Sequence, residues 1–141
     1  MTITLKRTDD KLAMQADNGR GHSINLDASE QAGGSNSGVS PMETALMAAA
    51  GCSSIDILDI LGKQRLQVDD LHVEAEGERA ENPPKVFTSI VMHYYITGEL
   101  PEAKVRRAVE LSLNQYCSVS KMLEKTADIS YTLTLNGERV E

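Results

Sequence analysis

The chain contains no tryptophan, one phenylalanine and four tyrosines. So few rings leave little from which to build a base-stacking platform for single-stranded nucleic acid. Basic residues are also in deficit: 14 Lys and Arg against 21 Asp and Glu give a formal net charge of −7. The longest basic run is the pair Arg106 and Arg107. Nucleic-acid affinity draws on clustered Lys and Arg, so no nucleic-acid partner is expected. Cysteine is limited to Cys52 and Cys117, 65 positions apart. That separation matches neither a C-x-x-C redox motif nor a zinc motif, and no cofactor or metal is expected. No apolar run approaches the roughly 20 residues of a membrane span. The opening MTITLKRTDD lacks the apolar core of a signal peptide. The expectation is a soluble, cytoplasmic protein with no membrane partner, whose thiols stay free or redox-active in a reducing compartment.

What is present fits one domain over residues 1–141, with length enough to bury a core without metal or disulfide staples. Residues 2–7 alternate, with Ile3 and Leu5 on one face, and an Asn18-Gly19 turn signal precedes a short strand, HSINL. The stretch SEQAGGSNSGVS, residues 29–40, is rich in glycine and serine and reads as a loop or lid. SPME then opens a long helix: Ser40 as N-cap, Pro41 in the first turn, Glu43 completing a capping box. The helix is apolar almost all round until Asp56 and Asp59, which predicts a central helix packed on several sides and ending near Gly62. LHVEAEGER alternates as a half-buried strand, and KVFTSIVMHYYI is apolar enough on both faces to be a central one. A helix begins at Pro101, and NQYCSVSKMLEK breaks and restarts it as a short helix over 119–125 capped by Ser118 and Ser120. DISYTLTLNG closes as a strand. Strands and helices in this order give an α+β fold rather than a doubly wound sheet.

Three histidines, His22, His72 and His93, sit on three separate predicted strands and read as ordinary strand residues. Cys52, within ALMAAAGCSSIDILDIL, has two readings: a small apolar filler in a buried helix, or a reactive thiol. Cys117 stands just before a helix start, at a junction where a side chain can move. Asp56 lies four residues after Cys52, on the same helical face. Ser53 and Ser54 are placed to bond back to backbone carbonyls.

SPMETALMAAAGCSSIDILDIL followed by NQYCSVSKMLEK resembles the OsmC/Ohr family of thiol peroxidases over nearly the whole chain. The SPMEM-type helix start places it nearest a less characterised OsmC-like branch. The resemblance implies antiparallel sheets packed around two long central helices in an intertwined homodimer. It implies Cys52 as peroxidatic thiol, Cys117 as resolving thiol, an organic hydroperoxide as substrate and an external thiol as reductant. It further implies an arginine that activates the thiolate, held by a glutamate. Arg20 is the best positional match for the arginine, ahead of Arg65 and Arg79, and Glu43 for the glutamate. Met42 occupies the family's glutamate position, and Glu43 is nine residues before Cys52. Nine steps rotate about 900°, which turns Glu43 half a turn away from Cys52. The alternative function is a non-catalytic or weakly catalytic dimeric small-molecule-binding protein on the same fold.

Overall fold

The structure, a computed structural model, describes residues 1–140. They form two compact units, Met1–Ala45 and the chain from Leu46 onward.

In the first unit β1 (Thr4–Arg7), β2 (Met14–Asp17) and β3 (Ser23–Leu26) pair antiparallel in that order. Gly19, with φ of 72°, supplies the left-handed turn between β2 and β3 that the Asn-Gly signal predicts. The sheet covers little of its own apolar surface, since Ile3, Leu5 and Ile24 are all exposed. Residues 29–40 form an ordered loop, with a short 3-10 turn at Glu30–Ala32. Its organiser is Asp27, a buried carboxylate eight and ten residues ahead of Ser35 and Ser37, which offer backbone N–H groups and a short hydroxyl. Asp27 Oδ2 accepts from the N–H groups of Ser35 and Ser37, both at 3.1 Å, and from the Ser37 hydroxyl at 2.7 Å. Gly34 has to be glycine: a Cβ there would lie 2.1 Å from the Ala28 carbonyl oxygen.

The Ser37 hydroxyl, and then its N–H, hold the Asp27 carboxyl down at about 2 from an ordinary 3.8. A depressed carboxyl stabilises the fold above its unfolded value and loses that stabilisation as the pH falls toward its folded one. The loop is therefore expected to loosen between about pH 4 and pH 2. Asp27→Asn, which presents a donor where donors converge, should speed hydrogen exchange at the Ser35 and Ser37 amides about tenfold at neutral pH, the equivalent of one hydrogen bond. Unchanged exchange at those two amides would remove Asp27 from this role.

Helix α1 (Pro41–Lys63) starts as predicted. The Ser40 N–H donates to Glu43 Oε2 at 2.7 Å while the Glu43 N–H donates to Ser40 Oγ at 3.2 Å, a reciprocal capping box. It ends at Lys63, near Gly62 as expected, but Gly62 is not the capping residue. The reversal is a Schellman motif: Leu66 N–H bonds to the Leu61 carbonyl at 3.0 Å and Arg65 N–H to that of Gly62 at 2.9 Å. Arg65, with φ of 59°, takes the left-handed position usually held by glycine. Ala49, Ser53, Ile57 and Leu61, spaced by four, are the buried stripe of α1. The opposite face is uncovered along Met47, Gly51, Ile55 and Leu58, where the sequence predicts packing on several sides. With 23 residues and an 18-residue window of mean hydropathy 1.5, α1 is long and apolar enough to cross a membrane by length and composition alone, a test that core helices also pass. Interspersed Ala, Gly and Ser disguise this when apolar runs are counted.

In the second unit β4 (Asp70–Arg79), β5 (Phe87–Thr97), β6 (Asp128–Leu135) and β7 (Glu138–Val140) form one sheet in that order. Leu71, Val73 and Ala75 alternate with exposed His72, Glu74 and Glu76 as predicted. β5 is central, with Phe87, Ile90, Met92, Tyr94 and Ile96 buried. The sheet is mixed rather than purely antiparallel, because β5 and β6 pair in parallel. Parallel neighbours require a crossover, and α2 (Glu102–Leu111) with α3 (Ser118–Leu123) provides it. β7 is an added hairpin strand, turned by Asn136 and Gly137 at positive φ. Mixed sheets and helices in this order make the fold α+β.

Candidate functional site

Two elements bring the cysteines together. Cys52 lies mid-way along α1, half-buried, about one turn after buried Ala49 and next to buried Ser53. Cys117 follows an unusual junction: α2 ends in a π-helical turn over Ser112–Tyr116, after which Cys117 takes an extended conformation. A π turn inserts an extra residue and frequently marks a functional site. Here it lets the Cys117 N–H reach the Ser112 carbonyl at 2.8 Å while its side chain turns inward, fully buried.

Cys117 is itself the N-cap of α3, where the sequence favours Ser118 or Ser120. Its sulfur accepts from the Ser120 N–H at 3.4 Å and from the Ser120 hydroxyl at 3.1 Å, and the thiol points to the Ala49 carbonyl at 3.9 Å. Hydroxyl caps are the commoner choice, which is why the serines read as caps from sequence. The ligand atoms of Cys52, Cys117 and Asp56 all lie within 4.8 Å of one another, and both thiols are free. Burial raises the Cys117 thiol above the ordinary cysteine value. The Ser120 hydroxyl and N–H pull the other way, while the adjacent Cys52 adds to the rise.

Asp56 shares the face of Cys52, and Ser112 fixes it by donating to Oδ2 at 3.1 Å. Ser112 and Ser120 are the members of the site that sequence reasoning misses. Ser112 carries no motif, and its place depends on the π turn. Below the cluster, buried Tyr94 donates to Ser53 Oγ at 2.7 Å, and burial raises the phenol well above its ordinary value. Ser53 and Ser54 bond back to the Ala50 carbonyl, as predicted. A cleft of about 450 Å³ opens beside Asp56, lined also by Asp59, Ile60, Lys63, Leu111 and Tyr116. Its lining joins apolar Ile60 and Leu111 to the charged Asp59 and Lys63.

The other predicted positions have local partners of their own. Arg20 is on the exposed β2–β3 turn, its N–H bonded to Asn18 Oδ1 at 2.9 Å. Glu43 is engaged in the capping box, which lowers its carboxyl through the Ser40 N–H and hydroxyl. Arg79 donates to the Lys85 carbonyl at 2.7 Å, and Arg65 serves the Schellman turn. The histidines do not assemble. His22 meets Asn18, His72 meets Glu74, and His93 meets Thr132 and Glu76. Phe87 and Tyr94 are core, while Tyr95 and Met47 are exposed.

Comparison with known proteins accords with this arrangement. Residues 34–132 match the family model described as OsmC-like protein. Protein YhfA of Escherichia coli K12 is 43% identical over 122 residues, which is 86% of this chain and 88% of that protein. The crystal structure of a hypothetical protein from Aquifex aeolicus superposes with a TM-score of 0.80 at 27% identity, covering 96% of both chains. An organic hydroperoxide resistance protein OsmC from Legionella pneumophila gives a TM-score of 0.72 at 18% identity, over 95% of this chain and 97% of that one. At that identity the last likeness speaks to the fold. A family match that contains both cysteines, together with close sequence relatives over most of the length, means that this chain belongs to the OsmC-like family.

Proposed function

We propose that the protein is a thiol-dependent peroxidase that reduces organic hydroperoxides in oxidative-stress defence, acting in the cytoplasm as a homodimer. The observation that carries this reading is the pair of free cysteines within 4.8 Å, one half-exposed and one buried. The Cys52 sulfur attacks the O–O bond of R–OOH. The distal oxygen transfers to sulfur, the alcohol ROH leaves, and Cys52 becomes a sulfenic acid. Cys117 then attacks that sulfur, releasing water and closing a disulfide. Two equivalents of an external thiol restore both cysteines by exchange and leave joined as their own disulfide. Closing to an S–S bond of about 2.05 Å requires Cys117 to advance, and the irregular Ser112–Tyr116 turn is the segment that yields. Arg20 is assigned as the cation that favours the Cys52 thiolate, with Glu43 as its carboxylate partner. The whole chain, 1–141, acts as one OsmC-like domain.

The test is intact mass of the reduced protein after one equivalent of an alkyl hydroperoxide. Loss of two hydrogens per chain within minutes is expected. An unchanged mass would reject the peroxidase and leave the binding-protein alternative on the same fold.

The homodimer rests on the uncovered face of α1. Ile55 is 69% exposed there, Met47 54% and Leu58 43%, with Ala48 and Gly51 between them, small enough for a second helix to approach closely. Burying an Ile stabilises by about 1.5–3 kcal/mol, and a two-fold interface counts each position twice. Ile55→Glu should therefore raise the dimer dissociation constant about 100-fold or more by analytical ultracentrifugation. An unchanged sedimentation profile would place the interface elsewhere.

A further inference from the structure

We propose that the reduced Cys52, Asp56 and Cys117 cluster is a binding site for a soft divalent cation, with zinc as the best-suited ion. The sequence conceals such a site because 65 positions separate the thiols; the π turn brings them to one place.

Four features carry the inference. The donors are two sulfurs and a carboxylate oxygen, the set that prefers zinc to magnesium or calcium. They lie within 4.8 Å of one another, whereas tetrahedral zinc with Zn–S of about 2.3 Å holds two thiolates about 3.8 Å apart. A contraction of about 1 Å or less completes the geometry. Cys52 and Asp56 stand at i and i+4 on one helix, the spacing by which helix-borne zinc sites present two ligands from one face. Finally, the outer partners are in place. Ser112 donates to Asp56 Oδ2, and Ser120 gives two donors to the Cys117 sulfur. No lysine or arginine forms an ion pair with Asp56 among the described residues.

Binding expels the two thiol protons and leaves a complex of net charge −1, with no electron transferred. Three protein ligands leave a fourth position for water. The bound state and the disulfide are mutually exclusive, because sulfurs about 3.8 Å apart on zinc cannot also share an S–S bond. The cation would thus protect the thiols, and disulfide formation would eject it.

The experiment uses the full-length, reduced, metal-free protein and no hydroperoxide, so it stands apart from the peroxidase reading. Zinc is titrated against a chromophoric chelator, and cobalt is added separately to report thiolate coordination by its charge-transfer absorption. One zinc per chain is expected, with release of about two protons at neutral pH. Cys52→Ser and Cys117→Ser should lose binding, Asp56→Asn should weaken it at least tenfold, and the disulfide form should not bind. Zinc should also slow alkylation of both cysteines in the unaltered protein, a readout that needs no variant to fold. Affinity weaker than about 1 mM, absence of the cobalt–thiolate absorption, or zinc binding that survives loss of both cysteines would overturn the proposal.

Discussion

Cys52→Ser should abolish hydroperoxide consumption, a fall of about 10³-fold or more, while Cys117→Ser should complete one oxidation and stall. The asymmetry follows from where the sulfurs sit. Cys52 is only half-buried, so a substrate oxygen can approach it. Cys117 is fully buried and already engaged by Ser120 and Ala49, so it meets no bulky substrate directly. A serine at 52 offers a hydroxyl that does not ionise at neutral pH, and it removes the only exposed sulfur of the pair. A serine at 117 keeps the hydrogen bonds of the cap but cannot resolve a sulfenic acid. That variant should gain one oxygen in mass, react with a sulfenic-acid trap, and pass to the irreversible sulfinic acid under excess peroxide. Both variants replace sulfur by a slightly smaller oxygen, so thermal melting should confirm that they fold. If Cys117→Ser turned over as fast as the unaltered protein, the disulfide would not belong to the cycle. If Cys52→Ser still consumed peroxide, the two roles would be reversed.

Much of this site can be read from the chain, and the limits have physical causes. The capping box at Ser40 and Glu43, the mid-helix cysteine and the helix break before Cys117 are local features, governed by residues within one or two turns. Alternation in β4 likewise reports a nearby burial boundary. The parallel pairing of β5 and β6 does not, because it depends on how a crossover of two helices returns the chain. The Schellman turn escaped for another reason. Two glycine-like roles compete near the helix end, and the hydrogen bond of Leu66 to Leu61 selects Arg65 over Gly62. Asp27 as loop organiser is equally invisible, since its donors are backbone amides eight and ten residues away. Ser112 and Ser120 join the site only once the π turn and the cysteine cap exist. A family resemblance supplied the pairing of the thiols. The geometry adds the Asp56 carboxylate, which residue spacing places on the right face without giving it a task.

The rate of disulfide closure should rise about tenfold for each pH unit, roughly 100-fold from pH 6.5 to 8.5. Cys117 attacks as a thiolate, and its burial holds the thiol above the ordinary cysteine value, so throughout this range the protonated form dominates. Each unit of pH then multiplies the thiolate fraction by ten. Ser120 opposes the burial through its hydroxyl and N–H, and Ser120→Ala, which removes the hydroxyl donor, should slow closure at every pH and move the curve toward higher pH. Oxidation of Cys52 works in the same direction as Ser120. The reduced neighbour contributes a hydrogen bond and a charge that raise Cys117, and a neutral sulfenic acid no longer supplies that charge. The loss of that contribution favours the Cys117 thiolate once its target has formed, while burial, the larger cause, continues to oppose it. The same shift has a stability consequence of definite sign: a raised thiol stabilises the fold below its unfolded value and loses that contribution as the pH rises through the folded one. Acid-quenched mass spectrometry, following the sulfenic acid after one equivalent of hydroperoxide, separates the closure from the first oxidation. A closure rate that is flat between pH 6.5 and 8.5 would mean that movement of the Ser112–Tyr116 turn, and not ionisation of Cys117, limits the step.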